Sequence, residues 1–361
     1  MRPLSNFAAR VPMTARPADA PSGVQGAALE ELTRFGSNPG ALKAWLHVPA
    51  SLRPGAALVV VLHGCTQTAA GYDHGSGWSA LADQHGFAVL LPEQQRANNP
   101  NGCFNWFVPG DTRRGVGEAL SIREMTAAAV DAHALDPARV FITGLSAGGA
   151  MASVMLATYP EVFAGGGIIA GLPFGTARGV PEALDRMRGN GGPHGAELAA
   201  LVRAASQHEG PWPTVSVWQG SADRTVAPVN ARLIVDQWRG VHEVEGPHVS
   251  DVVMNCPHLA WRDASGKVVL EQFEITGMGH GTPLQTSGEG DAIGAAGPFM
   301  LEAGISSTHH LARAWGLIGS APIATPQRTV PADRSPVRDR SWLNGPARVI
   351  DDALRAAGLV R

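Results

Sequence analysis

The serine at position 146 lies in residues 144–148, Gly-Leu-Ser-Ala-Gly, which fit the pattern G-x-S-x-G. A serine hydroxyl becomes a useful nucleophile when a neighbouring base takes its proton, and such a serine carries out acyl transfer. The preceding residues 139–143 predict a buried strand, and residues 150–158 predict a helix with an apolar face. Because this pattern marks a nucleophile when it joins a strand to a helix, we predict that Ser146 is the nucleophile. The alternative is a glycine-rich turn with an incidental serine.

A base and an acid are expected further along the chain, if the triad follows the order Ser, Asp, His. His280 follows the last predicted strand and stands between two glycines, so we predict it as the general base; the alternative is a surface-loop histidine. Asp223 follows the predicted strand at 214–219 and would hold the histidine in the correct tautomer. A carboxylate in this turn could instead cap the turn alone. Asp251 is the second choice for the acid.

A tetrahedral intermediate needs N–H donors directed at its negatively charged oxygen. The backbone N–H of Ala147, directly after the nucleophile, is the first predicted donor. The second is the backbone N–H of Cys65, in the loop that follows the apolar strand predicted at 56–62. His63 precedes the nucleophile in the chain, so we interpret it as a structural residue that holds this loop.

The long segment at 92–117 is rich in turn residues and aromatics, and a loop of this length in a compact domain usually has a function. Trp106 in this loop is a candidate substrate-binding residue, because an exposed ring would offer an apolar platform to an ester. The alternative is that the loop anchors itself by burying its own aromatic side chains.

Composition excludes several classes of protein. The chain has 361 residues, 44% of them hydrophobic, and a formal net charge of −3. We therefore expect neither nucleic acid nor an anionic membrane as a partner. No segment approaches the roughly 18 consecutive apolar residues of a membrane-spanning helix. Residues 1–34 predict a disordered leader without the apolar region of a signal peptide, which favours the cytoplasm by default.

Strands and helices alternate along the rest of the chain, which predicts an α/β fold with a mostly parallel central sheet and helices on both faces. We expect one catalytic domain at 35–317, with a helical insertion at 175–210. A hairpin is predicted at 35–48 and a glycine-rich loop at 281–304. Residues 318–361 predict a Pro/Arg-rich wrap and a terminal helix. Ser146, Asp223, His280 and Cys65 all follow predicted strands, where ligands bind in such sheets.

Several longer motifs resemble the polyhydroxybutyrate (PHB) depolymerase family of esterases, within the α/β-hydrolases. They are L-H-G-C-T-Q at 62–67, L-P-E-Q at 91–94, C-F-N-W-F at 103–107, G-L-S-A-G-G-A-M at 144–151, W-Q-G-S-A-D-R-T-V at 218–226 and G-M-G-H at 277–280. The resemblance implies an α/β-hydrolase fold, a triad of Ser146, Asp223 and His280, and oxyanion donors at Cys65 and Ala147. It also implies a small-molecule or oligomeric ester as substrate.

The resemblance leaves more than one activity open. A serine carboxylesterase acting on short-chain hydroxyalkanoate esters is expected first, and a feruloyl or acetylxylan esterase is the alternative. Family members are largely secreted, and the extracellular depolymerases usually carry a signal peptide and a polymer-binding domain. Since neither is recognised here, we expect soluble oligomers rather than crystalline polymer. A peptidase or acyltransferase on the same fold, and a non-catalytic binding protein, are further alternatives. No cofactor or metal is implied, because the triad needs none.

The three cysteines, Cys65, Cys103 and Cys256, fit either one disulfide with a free thiol or three thiols. A bond between Cys65 and Cys103 would tie the long loop to the oxyanion strand and leave Cys256 unpaired.

Overall fold

The structure, a computed structural model, describes residues 29–288 and 291–319. These residues contain a ten-stranded sheet and a separate two-stranded sheet. The strands are β1 (Glu30–Glu31), β2 (Lys43–His47), β3 (Leu58–Leu62), β4 (Ala88–Glu93), β5 (Val140–Leu145), β6 (Gly165–Ile169), β7 (Thr214–Gly220), β8 (Val249–Val253), β9 (Cys256–Arg262), β10 (Val268–Ile275), β11 (Thr282–Leu284) and β12 (Met300–Glu302). The helices are α1 (Ala69–Ser76), α2 (Trp78–His85), α3 (Pro109–Thr112), α4 (Gly117–Ala132), α5 (Ala147–Thr158), α6 (Val180–Met187), α7 (Ala196–Arg203), α8 (Val229–His242) and α9 (Ser307–Ala314).

The strand order of the large sheet is β1-β2-β4-β3-β5-β6-β7-β10-β9-β8. The six central strands, from β4 to β10, are parallel to one another, and antiparallel strands extend the sheet at both edges. The prediction of a mostly parallel sheet is therefore confirmed. The carboxyl ends of β3, β5, β7 and β10 meet at one edge, which is where ligands bind in sheets of this kind.

Apolar cores cover both faces of the sheet. Side chains along a strand point alternately to the two faces, so a strand covered on both sides is apolar throughout. All five residues of β3 are buried, and they alternate between the two cores. Helices α4, α5 and α8 contribute to one core, whereas α1, α2 and α9 contribute to the other. The predicted arrangement of helices on both faces is confirmed.

Local structure differs from the prediction at residues 35–48. Strand β2 pairs antiparallel with β4 on one side and with β1 on the other, rather than with a strand starting at residue 35, so the sheet begins within the predicted leader. The Asn38 side chain bonds both the N–H and the carbonyl of Leu42, and the Asn38 N–H donates to Glu124. These bonds hold the segment in a turn against α4, so it pairs with no strand.

Helix α1 and the small sheet were not predicted. Gly71 and Gly75 lower the helix propensity of α1, which hides it in the sequence. Gly75 leaves room for the Met300 side chain of β12, because a Cβ atom at this position would lie 2.6 Å from Cγ of Met300. Strands β11 and β12 pair in parallel within the segment predicted as a glycine-rich loop, and each has only three residues.

Other domain predictions concern the insertion and the chain ends. Helices α6 and α7 lie within residues 175–210, the segment predicted as a helical insertion. Most of the predicted leader and almost all of the predicted C-terminal wrap and helix lie outside the described residues. The division into domains therefore stays a prediction.

Candidate active site

Ser146 lies in the sharp turn between β5 and α5. Its backbone has φ 58° and ψ −117°, a conformation that a residue with a side chain adopts only when the surroundings enforce it. The Ser146 N–H donates to the Ile169 carbonyl at 2.9 Å, and its carbonyl accepts from Ala150 N–H at 2.8 Å. The turn therefore places the serine at the start of a helix, directly above the end of its strand.

The glycines of the G-x-S-x-G pattern allow this turn to pack against the neighbouring strand. A Cβ atom at Gly148 would lie 2.3 Å from the Leu62 carbonyl oxygen, and one at Gly144 would lie 2.5 Å from the Gly148 backbone. Neither position can carry a side chain without moving main chain. The first turn of α5 therefore lies directly against the end of β3, beside the loop that contains Cys65.

Asp223 and His280 form a hydrogen bond. Nδ1 of His280 lies 2.7 Å from Oδ2 of Asp223, and the aspartate is only 4% exposed. The same oxygen accepts from the Gln219 side chain at 2.9 Å, and Oδ1 accepts from the N–H groups of Thr225 and Val226. An ionised carboxylate only accepts, so Nδ1 carries the ring proton and Nε2 is left with its lone pair. That tautomer is the one a general base requires.

The loop after β7 and the loop after β10 approach each other through Gly220. A Cβ atom at this position would lie 2.3 Å from the Met278 carbonyl oxygen and 2.6 Å from that of Gly279. Backbone bonds join the two loops, because Ala222 N–H donates to the same Met278 carbonyl at 3.0 Å. Gly277 N–H donates to Ser221 Oγ at 2.8 Å. Close contact between these loops brings Asp223 to His280.

Ser146 and His280 line one small cavity, and Cys65 lines it as well. The remaining lining residues are Gly64, Gln67, Leu145 and Phe299. Within the described residues no hydrogen bond joins the Ser146 hydroxyl to the His280 ring. Nucleophile–base hydrogen bonds are often long in the absence of substrate. The cavity therefore holds the predicted nucleophile and the predicted base together with one of the two predicted oxyanion donors.

Both predicted oxyanion donors have free backbone N–H groups in the part of the chain that the structure describes. Ala147 is the first residue of α5, and the first N–H groups of a helix have no partner inside it. The loop at Cys65 is held by His63: its Nδ1 lies 2.7 Å from the Gly64 carbonyl oxygen, and its Nε2 accepts from Gln94 N–H at 3.1 Å. Burial lowers the pKa of His63, so the ring is neutral. This geometry agrees with the structural role predicted for His63.

A disulfide joins Cys65 to Cys103, 38 residues apart. Of the two states left open by the sequence, the structure has one disulfide and a free thiol, Cys256, which is buried. The Thr66 N–H also donates to the Asn101 carbonyl at 2.7 Å. The long loop is therefore bound directly to the segment that carries Cys65, one of the two predicted oxyanion donors.

The expectation that Trp106 offers an exposed platform is wrong. Its side chain is 8% exposed and belongs to the apolar core, where it packs edge-on against Phe107 at 5.3 Å between ring centroids. Phe104 is fully buried and packs against the His63 ring at 5.0 Å. The loop anchors itself by burying its own rings, because an apolar ring gains more by leaving water than by facing a cleft. Trp106 does not line the cavity that contains Ser146 and His280.

Asp251, the second choice for the acid, does not reach His280. It lies in the edge strand β8 and its carboxylate is 2.8 Å from Nδ1 of His258. Three residues around the site were not singled out from the sequence: Gln67, Gln219 and Phe299. Gln67 and Gln219 lie inside the motifs at 62–67 and 218–226, and this position in the motifs is the feature of the sequence that could have identified them. Phe299 stands in a glycine-rich segment whose sequence indicates no role.

Among residues 29–288 and 291–319, no three His, Cys, Asp or Glu side chains are clustered as a metal ion would require. The helices of the same residues are all too short or too polar to cross a membrane.

Comparison with known proteins identifies relatives. A family model described as esterase PHB depolymerase matches residues 44–244. Poly(3-hydroxyalkanoate) depolymerase C of Paucimonas lemoignei is 45% identical over 294 residues, which are 81% of this chain and 71% of that protein. Acetylxylan esterase A of Aspergillus oryzae is 31% identical over 274 residues, 73% of this chain and 86% of that one.

A solved structure resembles this fold. The acetyl xylan esterase from Aspergillus awamori superimposes with a TM-score of 0.65 at 28% sequence identity. The match covers 70% of this chain and 94% of that one. Together with the parallel sheet, this likeness confirms the predicted α/β-hydrolase fold.

Proposed function

Because the chain belongs to the PHB depolymerase family of esterases and is a carboxylic ester hydrolase, we propose that it cleaves short-chain hydroxyalkanoate esters with a Ser146–His280–Asp223 triad. The observation that carries the triad is the 2.7 Å bond between His280 and Asp223, with His280 lining the same cavity as the strained serine. Asp223 keeps the proton on Nδ1 of His280, so Nε2 is free to take the proton of the Ser146 hydroxyl.

Acylation follows from this arrangement. Ser146 Oγ attacks the ester carbonyl carbon while His280 Nε2 takes its proton, and a C–O bond to the serine forms. The carbonyl oxygen becomes negatively charged and accepts hydrogen bonds from the N–H groups of Cys65 and Ala147. The intermediate then collapses: the bond to the alcohol oxygen breaks, and His280 returns the proton to that oxygen. The alcohol leaves and an acyl-enzyme on Ser146 remains.

Deacylation repeats the sequence with water. Nε2 of His280 takes a proton from water as the water oxygen attacks the acyl carbon. The second tetrahedral intermediate uses the same two N–H donors. The bond to Ser146 Oγ breaks, the serine regains the proton from His280, and the carboxylic acid leaves. The buried Asp223 carboxylate stabilises the positively charged ring in both halves of the cycle.

Sequence similarity favours hydroxyalkanoate esters over other esters. The identity to the poly(3-hydroxyalkanoate) depolymerase, at 45%, exceeds the 31% identity to the acetylxylan esterases. Acetylxylan is the second candidate, because the fold superimposes on an acetyl xylan esterase with a TM-score of 0.65. No observation on the described residues favours a feruloyl ester.

A substrate panel tests this proposal. Hydroxybutyrate dimer and trimer, polymer film, acetylated xylan and methyl ferulate are compared at matched ester concentration. We expect the highest kcat/KM on the soluble hydroxybutyrate oligomers, by at least tenfold. A higher kcat/KM on acetylated xylan would overturn the substrate assignment and leave the esterase mechanism intact.

A further inference from the structure

Glu118 is a buried carboxyl group that the proposed mechanism does not use. It is the second residue of α4 and is 1% exposed. Its Oε1 accepts from the Gln94 side chain at 2.5 Å, and its Oε2 accepts from Asn105 N–H at 2.9 Å. A buried acidic group is expensive unless it is bonded, so its position reflects the groups that it holds. Those groups are the end of β4 and the long loop that follows it.

Gln94 is fixed in a single orientation by four side-chain hydrogen bonds. Its Nε2 donates to Glu118 and to the Cys103 carbonyl at 3.1 Å. Its Oε1 accepts from Gln95 N–H and from the Asn98 side chain, both at 2.9 Å. Both donor hydrogens and both acceptor lone pairs of the amide are therefore used. The backbone at this residue cannot turn without breaking several of these bonds.

That backbone holds the oxyanion loop through His63. The Gln94 N–H only donates, so Nε2 of His63 is the acceptor and Nδ1 carries the proton. Nδ1–H donates to the Gly64 carbonyl oxygen at 2.7 Å. In a trans peptide unit the carbonyl of one residue and the N–H of the next point in opposite directions. Fixing the Gly64 carbonyl therefore fixes the direction of the Cys65 N–H.

A second connection reaches the same residue. Gln94 Nε2 holds the Cys103 carbonyl, and Cys103 is bonded through its sulfur to Cys65. Glu118 holds Asn105 N–H, two residues further along the same loop. The buried pair of Gln94 and Glu118 is thus connected to Cys65 in two ways. One connection is the hydrogen bonds of His63, and the other is the disulfide to Cys103.

We infer that Gln94 and Glu118 are positioning residues that direct the Cys65 N–H at the oxyanion. This inference rests on the proposed function, since it takes Cys65 as an oxyanion donor. Neither side chain lines the catalytic cavity, so both act through His63 and the loop. Their removal lowers the stabilisation of the transition state and leaves the binding of the ground-state ester almost unchanged.

The test uses Gln94→Met, which removes every side-chain bond and keeps the backbone N–H. Deleting an oxyanion donor outright lowers kcat by about 10²–10³-fold, so a misdirected donor is expected to lower kcat roughly tenfold or more, with KM changed less than twofold.

A trifluoromethyl ketone forms a charged tetrahedral adduct with the serine, so its binding depends on the same N–H donors. Its Ki should rise by the factor by which kcat/KM falls. Glu118→Leu should act in the same direction, and Glu118→Gln, which keeps one acceptor, should lose less.

Gln237→Met is the matched control. Gln237 is likewise a buried glutamine, and its side chain makes three bonds to the backbone of Phe174 and Leu198, none of which lines the cavity. We expect this variant to lose thermal stability while kcat and the ketone Ki stay within twofold of wild type. A similar fall in kcat for this control would indicate a general effect of destabilisation and overturn the inference.

The remaining outcomes separate the inference from the proposed function. Wild-type kcat and Ki in folded Gln94→Met, with Ser146→Ala inactive, would overturn the inference alone. Activity in Ser146→Ala would overturn the proposed function. If Gln94→Met does not fold, Glu118→Gln and Glu118→Leu decide: graded losses in kcat with parallel rises in Ki support the inference, and unchanged values contradict it.

Discussion

Nδ1 of His280 lies 2.7 Å from Oδ2 of Asp223, although the two residues are 57 positions apart in the sequence. Asp223 follows the end of β7 by three residues and His280 follows the end of β10 by five, and β7 and β10 are parallel neighbours in the sheet. The ends of these strands therefore deliver both side chains to one place. Gly220 then allows the two loops to touch. The bond follows from the topology of the sheet together with one close contact between backbones.

Asp223 and His280 are predicted to act as one unit. Asp223→Asn should lower kcat on p-nitrophenyl butyrate by about 10³-fold or more, and His280→Ala should lower it at least as much. The aspartate works only through the histidine, so the double variant should be little worse than His280→Ala alone. Steady-state kinetics on the three purified variants measure this. Losses that multiply in the double variant would mean that the two residues act independently.

Gly220→Ala is predicted to separate the acid from the base. The new Cβ atom would meet main-chain carbonyl oxygens rather than a movable side chain, so the loops must shift. A displacement of about 1 Å at a catalytic group can cost 10²-fold in rate, and we expect kcat to fall at least tenfold. Gly279→Ala is the control, because a Cβ atom there meets nothing within 4 Å. Equal activity in the two variants would contradict this account of Gly220.

Trp106→Ala is predicted to impair folding rather than substrate selection. The ring is buried in the core, so its loss should lower the free energy of unfolding by about 3–5 kcal/mol. The ratio of butyrate to acetate turnover should stay the same in the protein that remains folded. Denaturant unfolding and both turnover rates are measured on one preparation. A preserved stability with a selective loss on butyrate would instead make Trp106 a substrate-binding residue.

Glu118 is predicted to make the stability depend on pH. Burial raises the pKa of its carboxyl from 4.5 to about 8, so the folded protein holds this proton more tightly than the unfolded chain. The bound proton of Glu118 therefore contributes to the free energy of unfolding, and this contribution is complete below about pH 4.5. It is lost as the pH rises to about 8, and the free energy of unfolding falls by up to about 1.4 kcal/mol per pH unit in this range. The measurement is the difference in free energy of unfolding between wild type and Glu118→Gln across this range. A difference that does not change with pH would contradict the prediction.

The meeting of Ser146, Asp223 and His280 at one edge of the sheet could be predicted from the sequence, because each follows a strand in a short motif containing glycine. The position of the loop at Cys65 could be predicted in the same way. The roles proposed for these residues rest on residue type and chain order, which the sequence contains. The fold class was predictable for a related reason, since continuous apolar runs such as Leu58–Leu62 mark strands covered on both faces.

Other features depend on contacts that the sequence does not contain. The direction of the Trp106 ring depends on the core beneath it, and the long loop is equally rich in aromatics whether its rings are buried or exposed. Helix α1 contains glycines that lower its helix propensity, and one of them, Gly75, leaves room for the side chain of Met300, more than two hundred residues away. The bond between Gln94 and Glu118 joins the end of a strand to the start of a helix, 24 residues later. Such pairs become visible only when the chain is folded.

The central claim is that the acyl group of the substrate is transferred to Ser146, and trapping the intermediate tests it most directly. The enzyme is mixed with p-nitrophenyl butyrate, quenched in acid within milliseconds and digested for mass spectrometry. The account predicts a butyryl group on the peptide that contains Ser146, and neither label nor turnover in folded Ser146→Ala. A butyryl group on a different residue, or undiminished hydrolysis by Ser146→Ala, would contradict it.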